Sequence, residues 1–179
     1  MVSCDTSFLH SLYLIDHHTQ KARARVQHMT SADRIALSPF QQYELLNAIR
    51  LSVFRGLRDA AAGEAILAAF QTDLADGQFE LPSCNLASVL NEAERLSCCY
   101  TISGGYRAFD ILHVAAALHF GASEFLTFDR NQSKLASAVG LKPGPESVAM
   151  CCNNEENPHR STRRPRRGEK PGRNIPVRV

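Results

Sequence analysis

Four carboxylates stand out by position: Asp5, Glu44, Asp110 and Asp129. Asp5 directly follows the apolar run VSC, and Asp129 follows EFLTF. Glu44 lies one turn into a helix-like stretch, and Asp110 in the first turns of another. Brought together, such acids would repel by on the order of 4 kcal/mol per pair at 4 Å and an effective dielectric of 20. A cation or shared protons must then neutralise them. Oxygen-only ligands favour Mg²⁺ or Mn²⁺ over zinc. An acid-held Mg²⁺ most often serves phosphate chemistry.

Singly, each acid has a local explanation. Asp5 before Thr6-Ser7 could be a helix N-cap. Asp110 near a helix start could suit the macrodipole. Asp129 before Arg130-Asn131 could be a turn residue. Glu44 shares a helix face with Ala48 and Leu51 and so leans toward the core.

The elements that would carry these acids alternate between strand and helix. Strands are expected at VSC, at IALS (35–38, stopped by Pro39), at Phe79–Leu81 and at Glu124–Phe128. Helices are expected over Thr6–Ile15, Lys21–Thr30, Phe40–Arg55, Arg58–Ala75, Leu86–Tyr100, Arg107–Phe120 and Gln132–Val139. After Gly140 the stretch KPGPES is expected to break regular structure at Pro143 and Pro145. Such alternation predicts a parallel sheet with helices on both faces. In that architecture strands end and helices begin at one edge, where ligands bind. From Asp110 to its helix end is a descent of roughly 16 Å. The strand from Glu124 climbs back by roughly 16 Å. Asp110 and Asp129 therefore meet at one level.

The chain has 179 residues, 44% of them apolar, enough for one domain with its own core. Residues 1–142 read as the folded domain. Residues 143–179 read as a disordered basic tail, Pro/Gly-rich and poor in apolar side chains. The net charge of +2 conceals that division, because residues 151–179 hold 8 Lys/Arg against 3 Asp/Glu. Six cysteines without a CxxC spacing read as reduced thiols of a cytoplasmic protein. The N-terminus lacks a basic leader and does not read as a signal peptide. No apolar run approaches the roughly 18 residues that would span a membrane.

DTSFL, YELLNA, FDILHVAAAL and FLTFD, in this order, resemble the PIN-domain ribonucleases, and most of all the VapC-type toxins of toxin–antitoxin pairs. The resemblance covers about residues 1–142. It implies a three-layer α/β/α domain with a mostly parallel sheet of four to five strands. It also implies an endoribonuclease that uses Mg²⁺ or Mn²⁺. The family's acids fall on Asp5, Glu44, Asp110 and Asp129, with hydroxyl support from Ser7 and Thr127. Some relatives carry a further acid where this chain has Asn131. The implied partners are RNA, an antitoxin and a second copy in a homodimer. Part of the stripe Phe8, Leu9, Leu12 and Tyr13 could face such a partner, although core packing is the simpler role.

Arg107 and Arg130 flank the acids, fit either to hold RNA phosphates or to tie down carboxylates. His113 is expected as a packed, hydrogen-bonded helix histidine. A phosphatase of the haloacid dehalogenase type would need a second Asp that DTSFL lacks. A receiver module would need paired acids at the first strand, where Cys4 stands beside Asp5. A non-enzymatic PIN-like RNA-binding or scaffold protein remains the alternative reading.

Overall fold

Val2, Ser3 and Cys4 are all buried, as a central strand covered on both faces must be. In the computed structural model, which describes residues 1–30 and 33–145, this strand is β1 (Val2–Cys4). The others are β2 (Ile35–Ala36), β3 (Phe79–Glu80), β4 (Glu124–Leu126) and β5 (Lys142–Gly144). They form a five-stranded sheet in the order β3-β2-β1-β4-β5. Every pairing is parallel, with Val2 opposite both Ile35 and Glu124. All the strands therefore end at a single edge.

The helices are α1 (Thr6–Tyr13), α2 (Thr19–Gln27), α3 (Pro39–Phe54), α4 (Ala60–Ala75), α5 (Leu86–Leu96), α6 (Ile102–Gly104), α7 (Ala108–His119) and α8 (Arg130–Ala138). A π-helical turn, Ser97–Thr101, carries α5 into α6. Neighbouring residues of β4 point to opposite faces of the sheet. Leu126 joins the core formed by Phe8 and Leu9 of α1, Leu45 and Ile49 of α3 and Phe70 of α4. Phe125 joins the core formed by Val89 of α5, Val114 of α7 and Leu135 of α8. The layers are thus helix, sheet, helix.

One expectation changes. The strand after Gly140 does form, despite Pro143. It lies at the sheet's edge, where a residue without an N–H is tolerated. The amide of Lys142 donates to the Ser123 carbonyl at 2.9 Å, and the Thr127 amide donates to the Gly144 carbonyl at 2.6 Å. The sheet therefore runs beyond residue 142, while the expected disorder of the basic tail falls on residues outside those described from 146 onward. The apolar stripe of α1 takes the simpler role expected for it, core packing. Phe8 and Leu9 are buried, and Leu12 and Tyr13 pack against them. Pro39 does more than stop β2: it is the first residue of α3, where its fixed φ suits the helix start.

The helix α3, which carries Glu44, is held against α4 at Gly63. A Cβ there would lie 2.4 Å from Val53 Cγ2. Glycine inside a helix ordinarily costs about 1 kcal/mol relative to alanine. Here the close approach outweighs that gain. Gly63→Ala is expected to destabilise the fold by about 1–3 kcal/mol, read by urea unfolding. Val53→Ala in the same chain should recover part of the loss. A Gly63→Ala protein more stable than the parent would refute this account of the contact.

Candidate active site

Three of the four acids sit at helix N-termini, and each caps its own helix. Asp5 is the N-cap of α1 and accepts the Phe8 amide at 2.9 Å. Asp129 is the N-cap of α8 and accepts the Asn131 and Gln132 amides at 2.7 and 3.0 Å. Asp110 is the third residue of α7 and accepts the Arg107 amide at 3.2 Å. The local roles suggested for these three acids singly are therefore present. The parallel sheet brings the three helix starts to one edge. There the positive ends of the helix dipoles favour anionic groups.

Asp5 is fully buried. Its carboxylate accepts from four donors: the Phe8 amide, Ser7 Oγ at 2.7 Å, Thr127 Oγ1 at 2.6 Å and Gln132 Nε2 at 2.8 Å. Burial still wins, and it holds the Asp5 carboxyl above its ordinary range against the hydrogen bonds from Thr127, Phe8 and Ser7 and the field of His113. Thr127 also joins two of the acids, since its hydroxyl oxygen accepts the Asp129 amide at 2.9 Å. Ser7 accepts the Phe128 amide at 3.0 Å and so fixes the loop that presents Asp129.

Glu44 is half-buried and reaches the others through α1 and α7. His113 Nε2 lies 2.6 Å from Glu44 Oε2, and Thr6 donates to the same oxygen. The His113 ring is 1% exposed, and its Nδ1 is buried without a partner. Nε2 therefore carries the proton given to Glu44, because a proton on Nδ1 would be a buried, unpaired N–H. Burial pushes the Glu44 carboxyl up. The hydrogen bonds from His113 and Thr6 outweigh it and hold the group below its usual range.

Arg107 closes the cluster. Its Nε donates to Asp110 Oδ2 at 3.0 Å and its Nη2 to Asp110 Oδ1 at 3.2 Å. The same Nη2 lies 3.7 Å from Asp129 Oδ2. The side chain is 76% exposed, so it lies over the acids rather than beneath them. Arg130 is exposed and has no partner among the described residues. Asn131 contributes its backbone amide to Asp129, while its side chain stays exposed and joins none of the other acids.

Oxygen atoms alone make up the anionic donor set, which fits a hard divalent cation. As they stand, no three of the His, Cys, Asp or Glu side chains among the described residues are spaced to close on one ion. The Arg107 guanidinium instead bridges Asp110 and Asp129. Two contacts had faint signals in the sequence. His113 follows Asp110 by one turn, which puts both on one face of α7. Gln132 follows Asp129 by three residues, a capping-box spacing. Its amide reaches Asp5 rather than the backbone.

A profile of the PIN domain matches residues 2–138. No curated protein matches the chain in sequence. Among solved structures, FitAcB from Neisseria gonorrhoeae aligns with a TM-score of 0.59 at 16% identity, over 80% of this chain and 96% of that one. VapBC-1 from nontypeable Haemophilus influenzae aligns with a TM-score of 0.55 at 16% identity, over 80% and 97%. PAE2754 from Pyrobaculum aerophilum aligns with a TM-score of 0.53 at 21% identity, over 79% and 87%. The fold is shared with all three.

The raised pKa of Asp5 has a sign that can be tested. The folded state favours the protonated acid, so ionisation at this position costs stability. That cost is absent below the unfolded carboxylate range, about pH 3.9. It is complete above the folded value. Asp5→Asn should therefore melt higher than the parent in EDTA at pH 7, by roughly 2–4 °C for each kcal/mol relieved. The gap should shrink toward pH 4. The orphaned amide oxygen of Gln132 can turn to accept from the side-chain amide that this substitution introduces. An equal or lower melting temperature for Asp5→Asn at pH 7 would contradict the account.

Proposed function

The chain belongs to the PIN domain family, and from that premise we propose that it is a metal-dependent endoribonuclease, the toxin of a toxin–antitoxin pair. The observation that carries this reading is the linkage of Asp5, Glu44, Asp110 and Asp129 at one sheet edge through Thr127, Arg107, Thr6 and His113. Mg²⁺ or Mn²⁺ would be held by these four acids. Ser7 and Thr127 orient Asp5, and Asn131 stands at the rim. When bound, such an ion acidifies water and offsets charge building on the attacked phosphate.

The protein's own groups do the rest. Thr127 and Gln132 keep Asp5 in one rotamer, and His113 does the same for Glu44. Arg107, once it leaves Asp110 and Asp129, is free to fork onto an RNA phosphate. Arg130 offers a second cation beside the same loop. No side-chain nucleophile is required, since hydrolysis uses water.

The toxin reading is supported by the sequence's resemblance to VapC-type toxins and by the fold shared with VapBC-1. The partners would be an antitoxin and a second copy of the chain. Phe54, 86% exposed, and Leu57, 71% exposed, are apolar side chains available to them. No helix among the described residues is long and apolar enough to cross a membrane. We place the activity in the cytoplasm, where RNA and an antitoxin would both be met.

Purified protein should cleave an RNA pool with Mg²⁺ or Mn²⁺ and stop cleaving in EDTA. Asp110→Asn and Asp129→Asn should each lose roughly two orders of magnitude or more in rate. Folded protein that binds RNA but cleaves none of it with either ion would return the chain to a non-enzymatic RNA-binding role. Arg107→Gln separates the two tasks of that arginine. Calorimetry should show tighter Mn²⁺ binding, because a competing cation is gone, while the KM for RNA rises several-fold. Unchanged Mn²⁺ affinity would remove Arg107 from the ion's place.

A further inference from the structure

Two aromatic rings stand exposed beside the acids, and each belongs to the residue just before one of them. Tyr43 precedes Glu44 on α3, and Phe109 precedes Asp110 on α7. Their ring centroids are 6.5 Å apart, with planes tilted by 30°. Phe109 also meets His113 edge-on, at 6.0 Å and 65°. His113 is in turn bound to Glu44 at 2.6 Å. A short chain of contacts thus ties Tyr43 to the acid cluster. Phe109, set against the buried His113, backs the Tyr43 ring. At 62% exposure, Tyr43 still keeps a face of that ring in solvent.

The surroundings of this ring say what could cover it. A protein partner would ask for a contiguous apolar patch. Along α3 the face that carries Tyr43 turns polar at once: Asn47 and Arg50, four and seven residues on, are both exposed. The apolar Phe54 lies eleven residues on, roughly 16 Å away. Arg50 makes no ion pair or hydrogen bond among the described residues. Arg107 stands two residues before Phe109, with its side chain 76% exposed. The open ring therefore has an available guanidinium on each of the two helices that frame it.

Cations with an aromatic face between them suit a single strand of nucleic acid. The cations follow the phosphates, and the ring takes a base by stacking, whatever its sequence. A duplex would not fit, because its bases already stack on one another. Arg50 is roughly 10 Å along the helix from Tyr43, a gap that one nucleotide and an arginine side chain together span. We propose that Tyr43, backed by Phe109, is a stacking platform for one base of a single-stranded RNA whose neighbouring phosphates are held by Arg107 and Arg50. The platform rests on the ribonuclease reading for its use, but binding tests it separately.

The chain contains no tryptophan, so Tyr43→Trp places a single reporter at the platform. In EDTA, where no cleavage is expected, hexaadenylate RNA should quench its fluorescence. Inorganic tripolyphosphate and a duplex RNA of the same length should not. By anisotropy on the full chain, Tyr43→Ala should bind labelled hexaadenylate about tenfold more weakly than the parent. Tyr43→Phe, which keeps the ring, should stay within about twofold. Arg50→Gln should make the fall of log affinity with log salt shallower by about 0.7, the share of one phosphate on a single strand. Tyr43→Ala should leave that slope as it is.

The absence of quenching by hexaadenylate would overturn the platform, as would unchanged affinity in Tyr43→Ala. An unchanged salt slope in Arg50→Gln would overturn the course given to the strand. If Tyr43→Ala broke a dimer and left strand affinity alone, the ring would belong to a second copy and the platform would fall. Metal-dependent cleavage with the parent's KM in Tyr43→Ala would remove the platform and leave the ribonuclease intact. Tyr43-dependent strand binding by a protein that cleaves nothing would keep the platform and remove the nuclease.

Discussion

A buried carboxylate that must remain at one place is the constraint around which this structure is arranged. Asp5 follows the central strand without a spacer and is fully enclosed. Water cannot stabilise its charge, so the protein's own dipoles must. The α1 N-terminus, the hydroxyls of Ser7 and Thr127 and the amide of Gln132 are directed at it. Those donors come from different stretches of chain and meet only if α1 and α8 begin beside the ends of β1 and β4. The parallel pairing of β1 with β4 secures that. Parallel topology, helix starts and acid positions are therefore one arrangement seen at three scales.

The same arrangement separates the acids into two kinds. Asp5 is rigid, buried and held by four donors. Asp129 and Glu44 keep a solvent side, and Asp110, itself buried, lies under the long, exposed Arg107. A cation that is part of the chain holds the negative charges close without a fixed cage. It is attached by a forked contact to Asp110 and a longer, more exposed one to Asp129, the latter of the kind that contributes little net stability in water. The inner part of the site is set by packing and the outer part by exchangeable charge.

Much of this was legible in the sequence. The alternation of strands and helices implied the direction of the sheet, and the acids' places at element junctions implied the edge. Descending α7 and climbing β4 bring Asp110 and Asp129 to one level, where Arg107 spans them. What escaped depended on rotamers and on edge position. Pro143 reads as a strand breaker, yet at a sheet's edge its missing N–H has nothing to pair with. The Glu44–His113 contact joins helices 69 residues apart in sequence. No local pattern announces it, only a shared orientation toward the same edge. Phe8 and Leu9 had a stripe's spacing, but spacing does not say whether a stripe is covered by the chain itself or by another.

The two margins of the sheet have a consequence for assembly. One ends in β3, only two residues long, and the other in β5, which contains proline. A short strand and a strand with a missing donor are poor templates for another chain's backbone. The sheet cannot readily be extended by a neighbour's strand. The surfaces left for docking are the helical flanks, where side chains rather than backbone would choose a mate.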